Sequence, residues 1–124
     1  MKLSVYPFAL ICVAMSLAAQ SSTELETTQD TEIRHILSVL EQSDCQFIRN
    51  GKRYSGAKAA DHLAGKYDYA RDKIESAESF IENIASASYF SGKPYQVDCP
   101  DESVINSEQW LKQVLSQYRK QKNH

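Results

Sequence analysis

With 124 residues, 42% of them hydrophobic and 24% charged, this chain has the composition of one folded domain with a modest core. Its formal charge of −2 excludes the strongly basic surface that nucleic-acid binding requires, and the acidic excess is too small to indicate a cationic partner. The three cysteines include no Cys-x-x-Cys pair, so neither redox catalysis nor a thiolate zinc site is predicted.

The first 18 residues are typical of a secretory signal peptide. Lys2 gives a positive start, residues 3–17 are almost all apolar, and small residues precede a cleavage position after Ala18. The apolar run is shorter than the roughly 20 residues that a spanning helix needs. Cleavage near Ala18 and export are therefore predicted, with an uncleaved membrane anchor as the alternative.

Two cysteines would remain after cleavage, because Cys12 would be removed with the signal peptide. An even pair in an exported chain, here Cys45 and Cys99, predicts one disulfide. This disulfide would close a loop of roughly 55 residues and would stabilise the fold by about 4 kcal/mol in the chain-entropy model.

Residues 19–29 are polar and poorly patterned, so a flexible leader is expected before a single globular domain over residues 30–120. Asp30 or Thr31 can cap the first helix, whose apolar residues recur at i, i+3, i+4 and i+7. This apolar stripe consists of Ile33, Ile36, Leu37 and Leu40. His35 lies off the stripe and is predicted to be a solvated surface residue.

A β-hairpin is predicted around Asn50-Gly51, because both central positions of a type I′ turn need positive φ. Its short strands are residues 45–49 and 52–54. The hairpin is positively charged, which fits either an edge strand protected against aggregation or a patch that contacts an anion. The charges belong to Arg49, Lys52 and Arg53.

A second helix, capped by Ser55, is predicted to continue towards Ile74 with apolar residues at helical spacing. Gly65 lies inside it and indicates either close packing against another helix or a weak point. His62 and Lys66 are four residues apart, so they share a face that borders the buried stripe. His62 is the best candidate for a general base, and a hydrogen-bonded structural histidine is the competing interpretation.

Ser76 can cap a third helix. Glu75, Glu78 and Glu82 lie together on one face, where we expect a solvated surface rather than a metal site. Gly92 can take the left-handed position that ends a helix. The inward stripe consists of Ala77, Phe80, Ile81, Ile84, Ala85 and Ser88.

Residues 95–97 are predicted to form a short strand that ends close to Cys99. If this strand pairs antiparallel with the strand that follows Cys45, the two cysteines lie side by side. The disulfide and a sheet of two to three strands therefore support each other.

A fourth helix is predicted after a polar connection, with Asn106 or Ser107 as its cap and Trp110 as a core anchor. Residues 121–124 are expected to be a frayed tail. The predicted fold class is α+β, with about four helices, a small antiparallel sheet of two to three short strands and one disulfide.

The motifs also occur in a characteristic order. They are Cys45-x-Phe47-Ile48-Arg49-Asn50-Gly51-x-x-Tyr54, Ala59-x-x-His62-Leu63-x-x-Lys66-Tyr67, Ser91-Gly92-x-Pro94-Tyr95, Cys99-Pro100 and Ser107-x-x-Trp110-Leu111. With this spacing the chain resembles the YfeK-like family of small exported proteins of Gram-negative bacteria, over residues 33–119. It departs from the family pattern at Asp101-Glu102, where glycine is frequent. The resemblance implies an exported single domain with a disulfide, located in the periplasm, and implies no activity.

Motifs of common catalytic sites are absent from the sequence, which has no Gly-x-Ser-x-Gly, no His-Glu-x-x-His and no glycine-rich phosphate loop. No catalytic residue, metal or cofactor is predicted, and a small hydrolase that uses His62 is the least favoured interpretation. The format of a small exported domain with a disulfide favours a non-catalytic binding role, as an adaptor, inhibitor or immunity protein. A structural envelope or stress-related role is the alternative.

The candidate binding surface joins the hairpin, the second helix and the loop after the third helix. The expected partner is a protein or a small ligand in the periplasm, without nucleic acid and without a stable membrane span after cleavage. In the competing interpretation, these side chains satisfy each other's hydrogen bonds and hold the hairpin to the helices. If His62 lines an open cavity, a ligand site is favoured. If its ring is sealed against neighbouring residues, a purely structural role is favoured. The candidate residues are Arg49, Tyr54, His62, Lys66, Ser88, Ser91 and Lys93.

Overall fold

Helical and extended segments alternate along the chain, and they form four α-helices and one antiparallel sheet. The computed structural model describes residues 21–123, with side chains from residue 28 onward, so the predicted signal peptide lies outside the described residues. The α+β class is confirmed. The elements are α1 (Ser21–Gln42), β1 (Gln46–Arg49), β2 (Lys52–Ser55), α2 (Gly56–Ala70), α3 (Ala77–Asn83), β3 (Gln96–Asp98), β4 (Ile105–Asn106) and α4 (Ser107–Lys122).

Helix α1 begins at Ser21, so the prediction that it starts at Asp30 or Thr31 was wrong. The polar residues 21–29 contain neither glycine nor proline, and a helix can therefore continue through them without an apolar stripe. Asp30 lies inside the helix, where its carboxylate accepts hydrogen bonds from Arg34 at 2.8 Å and from the Tyr67 hydroxyl at 2.9 Å.

The core lies between the sheet and the four helices, where α2 and α4 pack on the sheet and α1 and α3 pack against them. The predicted stripe of α1 is buried, and so is the predicted stripe of α3. Phe80 is fully buried and packs edge-on against Tyr67, with ring centroids 5.6 Å apart. Trp110 is only half-buried and packs edge-on against Phe47. It therefore closes one side of the core rather than filling its centre.

The hairpin turn confirms the prediction from Asn50-Gly51, since φ is 50° at Asn50 and 79° at Gly51. The sheet has four strands in the order β2-β1-β3-β4, all antiparallel, rather than two to three. The additional strand, β4, has only two residues and lies in the predicted polar connection. Its sequence is too short to carry an alternating pattern, so it was not predictable from the residues alone.

Pairing of β1 with β3 brings Cys45 beside Cys99, with 4.1 Å between their Cα atoms, and the predicted disulfide is present. The caps at Ser55 and Ser76 are also confirmed, because each side chain accepts a hydrogen bond from the backbone N–H three residues later. Gly92 has a φ of 69°, but α3 already ends at Asn83, so Gly92 does not terminate the helix. The Ser86 hydroxyl, which donates to the Glu82 carbonyl at 2.6 Å, competes with helical hydrogen bonding there.

Ion pairs connect the acidic face of α3 to α4. Arg119 binds the carboxylate of Glu32 on α1 at 2.6 Å and also pairs with Glu78. Lys112 lies 3.3 Å from Glu82. The hydrogen bond from Arg119 lowers the pKa of Glu78, against the opposing effect of its partial burial. Two of the three carboxylates on the face that was expected to be solvated therefore join helices.

Two glycines of α2 have opposite surroundings. A Cβ at Gly56 would collide with the carbonyl oxygen of Leu40, so the close contact between α1 and α2 depends on this glycine. A Cβ at Gly65 would meet no atom within 4 Å. Of the two interpretations of Gly65, close packing and a weak point, the structure supports the weak point.

We expect Gly65→Ala to stabilise the fold by about 0.5–1 kcal/mol, because alanine has the higher helix propensity and open space surrounds the site. Gly56→Ala should destabilise the fold by about 1–3 kcal/mol through overpacking against the backbone of α1. Urea unfolding monitored by circular dichroism measures both changes. Equal effects of the two substitutions would contradict the packing described here.

Candidate functional site

A pocket of about 240 Å³ opens between the β1–β2 hairpin and helix α2. Phe47 pairs with Tyr54 across the hairpin, and Arg49 is two residues from Phe47, so all three side chains belong to the same face of the sheet. Ser55 ends β2 and caps α2, so the helix starts without a linker and lies across that face. The helix contributes the facing wall, with Ala59, His62 and Leu63 among its lining residues.

The pocket is apolar inside and charged at its mouth. Phe47, Leu63 and Tyr95 line it and are buried. The side chains at the mouth are more accessible, since Arg49 is half-buried and three further polar residues are exposed. These three are Lys58, Asp61 and His62. An apolar cavity with a few polar groups at one end is the usual form of a small-molecule site.

Arg49 and His62 form the polar contact of the pocket. The Arg49 Nη1 atom lies 3.3 Å from Nε2 of His62. Desolvation lowers the pKa of His62, and the positive charges of Arg49 and Lys66 lower it further. A guanidinium can only donate, so the neutral imidazole accepts at Nε2 and carries its proton on Nδ1.

Arg49 forms no ion pair with any carboxylate in the described part of the chain, whereas all four of the other arginines do. The only described hydrogen-bond partner of its guanidinium is the neutral ring of His62. A guanidinium has five N–H donors, arranged in a fork that matches a carboxylate. The arginine at the pocket mouth therefore keeps most of its capacity to bind an anion.

Lys66 does not line the pocket but forms hydrogen bonds that connect neighbouring elements. Its ammonium donates to the Ile84 carbonyl at 2.7 Å and to the Tyr95 hydroxyl at 3.4 Å. Desolvation lowers the pKa of Lys66, and the nearby Arg49 adds to this shift. Burial raises the pKa of Tyr95, against the opposing effect of Arg49. Lys66 thus joins α2 to the end of α3 and to the residue before β3.

Ser88 and Ser91 lie in a second cluster, at the hairpin turn. The Asn50 amide donates to the Ser88 hydroxyl at 3.3 Å, and the Ser91 hydroxyl donates to the Asn50 side-chain oxygen at 2.6 Å. The exposed Lys93 belongs to the same loop, and its backbone N–H donates to Ser91 at 3.3 Å. None of these three residues of the loop lines the pocket.

The predicted binding surface is therefore divided. Arg49, Tyr54 and His62 meet at the pocket, as a ligand site requires, and His62 is not sealed. Lys66, Ser88 and Ser91 satisfy hydrogen bonds between elements, as the structural interpretation expects. Lys93 contacts neither the pocket nor α2 through any described side-chain interaction.

Sequence reasoning missed the apolar lining of the pocket. Alternation along β1 from the Asn50-Gly51 turn could have placed Phe47 beside Arg49, and the spacing of Lys58 and His62 could have placed both on one face of α2. Ser107 carries no such signal. It lines the pocket because its N–H donates to the Tyr95 carbonyl at 2.8 Å, beyond the end of β4.

The chain matches a protein family of unknown function (DUF5329) over residues 27–119. It belongs to that family. It is also 34% identical over 89 residues to the "Uncharacterized protein YfeK" of Salmonella typhimurium, a match that covers 69% of this chain and 74% of the relative. The resemblance to the YfeK-like family is thereby confirmed. No solved structure matches the chain.

The backbone conformation of Asp101 bears on the expected departure from the YfeK-like pattern at Asp101-Glu102. Asp101 has a φ of 61°, in the left-handed region that glycine occupies without strain. Aspartate is among the residues that tolerate this region best, because its short side chain can hydrogen-bond locally. The turn after Cys99 therefore forms with aspartate at this position, closed by the Glu102 N–H, which donates to the Cys99 carbonyl at 3.2 Å.

We expect Lys66→Met to destabilise the fold by about 1–3 kcal/mol, because it removes both donors to Ile84 and Tyr95. His62→Ala should cost less than about 0.5 kcal/mol, since His62 is exposed. Chemical unfolding of both variants beside the parent measures the difference. A larger cost for His62→Ala would show that the histidine, rather than the lysine, holds the hairpin to the helices.

Proposed function

We propose that this chain is an exported, non-catalytic binding domain, whose pocket takes a small carboxylate with an apolar tail. The observation that carries the proposal is the Arg49 guanidinium at the mouth of the apolar pocket, where no carboxylate of the described residues forms an ion pair with it. The same chemistry occurs in a free small acid and in the C-terminal residue of a partner protein. The proposal therefore covers a small-ligand carrier and an adaptor or inhibitor that captures a chain end.

The size of the pocket supports a small occupant. A cavity of about 240 Å³ is below the range of roughly 300–1,000 Å³ that is usual for drug-sized ligands. The buried walls of Phe47, Leu63 and Tyr95 suit a short aliphatic or aromatic group. Burial of that group would supply the non-directional part of the affinity.

The charges at the mouth support an anion. Arg49 and Lys58 line the pocket, and Lys66 lies close enough to Arg49 and His62 to affect the pKa of the histidine. Asp61 is the single carboxylate among the lining residues. The balance is positive even while His62 is neutral, so a carboxylate head beside Arg49 meets a favourable potential. Charge-assisted hydrogen bonds from arginine are also among the strongest that proteins make.

The contacts of His62 support binding rather than hydrolysis. A nucleophilic triad needs a histidine that is hydrogen-bonded to a hydroxyl or thiol on one side and to an orienting carboxylate on the other. The described hydrogen bond of His62 goes to Arg49. A guanidinium at that position opposes protonation of the ring, which a general base must undergo.

The disulfide supports export to the periplasm. Cys45 and Cys99 are bonded across adjacent strands, and such bonds persist in oxidising compartments. Together with the secretory pattern of the first 18 residues, this bond favours a mature domain that works outside the cytoplasm.

The proposal predicts selectivity for the charge of the ligand head group. Three probes share a six-carbon chain and differ in that group: hexanoate, hexylammonium and 1-hexanol. In two-dimensional NMR titrations, hexanoate should shift the amide signals of Arg49, Tyr54 and Leu63 and should bind most tightly of the three. Arg49→Gln should weaken hexanoate binding about tenfold, since hydrogen bonds to charged groups contribute about 1.5–3 kcal/mol.

Lys73→Gln is the matched control, because it removes one positive charge from an exposed residue that does not line the pocket. Its hexanoate affinity should equal that of the parent. Equal binding of hexanoate and hexylammonium, or unchanged hexanoate affinity in the Arg49→Gln variant, would refute the proposal.

A further inference from the structure

The loop between α3 and β3 is closed by its own backbone hydrogen bonds. Ala87 and Pro94 form an antiparallel bridge, and the Ser88 N–H donates to the Lys93 carbonyl at 3.0 Å. The Gly92 N–H closes the turn by donating to the Ser88 carbonyl at 2.9 Å, with a positive φ at Gly92. The backbone of this loop is therefore held in one conformation by its own hydrogen bonds.

Two aromatic side chains occupy the tip of this loop. Tyr89 is 87% exposed and Phe90 is 94% exposed, and their rings pack edge-on with centroids 5.6 Å apart. Single exposed apolar residues are normal on a protein surface. The two adjacent rings contact each other and so form one exposed apolar patch, which is typical of an interaction site.

Basic residues lie in the loop and beside the hairpin turn that contacts it, although the chain as a whole is acidic. Asn50 hydrogen-bonds to both Ser88 and Ser91 and so ties the loop to the hairpin turn. Lys93 lies within the loop, and Arg49 and Lys52 flank the hairpin turn to which Asn50 ties the loop.

We infer that this aromatic tip, defined as residues 86–94, docks the domain on an anionic lipid surface, with Tyr89 and Phe90 inserted among the head groups. Aromatic rings favour the membrane–water interface, and neighbouring lysines are attracted to anionic lipids. A convex tip can enter a bilayer without a matching cavity, whereas a protein partner would need a cleft for both rings. The inference concerns peripheral contact and is independent of the pocket, because neither ring lines it.

No helix in the described part of the chain is long and apolar enough to cross a membrane. Contact through the tip would instead keep the described domain outside the hydrocarbon region. Two rings alone give reversible binding, and the basic residues of the hairpin and of the loop add the electrostatic part. The combined requirement for rings and charge makes the inference testable with vesicles.

The test uses residues 19–124, because the core, the sheet and the disulfide all lie beyond residue 28, and circular dichroism verifies folding. Sedimentation with vesicles measures partition onto pure phosphatidylcholine and onto an equal mixture of phosphatidylcholine and phosphatidylglycerol. The parent should bind the mixed vesicles more tightly than the neutral ones. The double variant Tyr89→Ser, Phe90→Ser should bind the mixed vesicles at least about tenfold more weakly.

Two single variants separate charge from aromatic insertion. Lys93→Gln should reduce partition onto mixed vesicles about fivefold and leave partition onto neutral vesicles unchanged. Tyr69→Ser is the control, since Tyr69 is 96% exposed on α2, and it should bind as the parent does. Absence of parent binding to mixed vesicles, or equal binding of the double variant and the parent, would overturn the inference.

Discussion

Pairing of β1 with β3, closed by the Cys45–Cys99 disulfide, is the constraint on which the rest of the structure depends. Strand β1 lies between β2 and β3, so its register sets the face on which every hairpin side chain lies. A slip of one residue would turn Phe47 and Arg49 to the outer face of the sheet. The disulfide, next to the Gln46–Asp98 pair, opposes such a slip.

The pocket and the aromatic tip both follow from this placement of the hairpin. On one side, α2 starts directly at Ser55 and encloses the pocket against Phe47 and Arg49. At the turn, Asn50 fixes the loop that carries Tyr89 and Phe90. The two proposals share the charge of Arg49, but the aromatic rings belong only to the tip and the buried apolar walls only to the pocket. Loss of vesicle binding in the Tyr89→Ser, Phe90→Ser variant should therefore leave hexanoate binding intact, because neither ring lines the pocket.

Local signals were sufficient for the elements that local chemistry determines. Asn50-Gly51 specified its turn, Ser55 and Ser76 specified their caps, and the cysteine pair specified its bond. Features that depend on distant residues were not predictable. Gly56 is required because it meets the Leu40 carbonyl of another helix, and β4 forms by pairing with β3 rather than through its own sequence.

The candidate site likewise combines residues that local motifs predicted with contacts that depend on distant residues. Arg49, Tyr54 and His62 could be proposed from motifs on adjacent elements, and the structure brings them to one pocket. Ser88 could not be separated from them by sequence, because its partner Asn50 lies 38 residues away. Among the described residues no carboxylate forms an ion pair with Arg49, and this feature, on which the proposed chemistry rests, likewise depends on tertiary placement.

The most direct test of the central claim is the orientation of hexanoate in the pocket, measured by intermolecular nuclear Overhauser effects on the isotope-labelled protein. The account predicts contacts from the hexanoate methyl group to the buried side chains of Phe47 and Leu63, with the protons next to the carboxylate close to Arg49. The reverse orientation, or contacts confined to other parts of the surface, would contradict the assignment of Arg49 as the carboxylate-binding group.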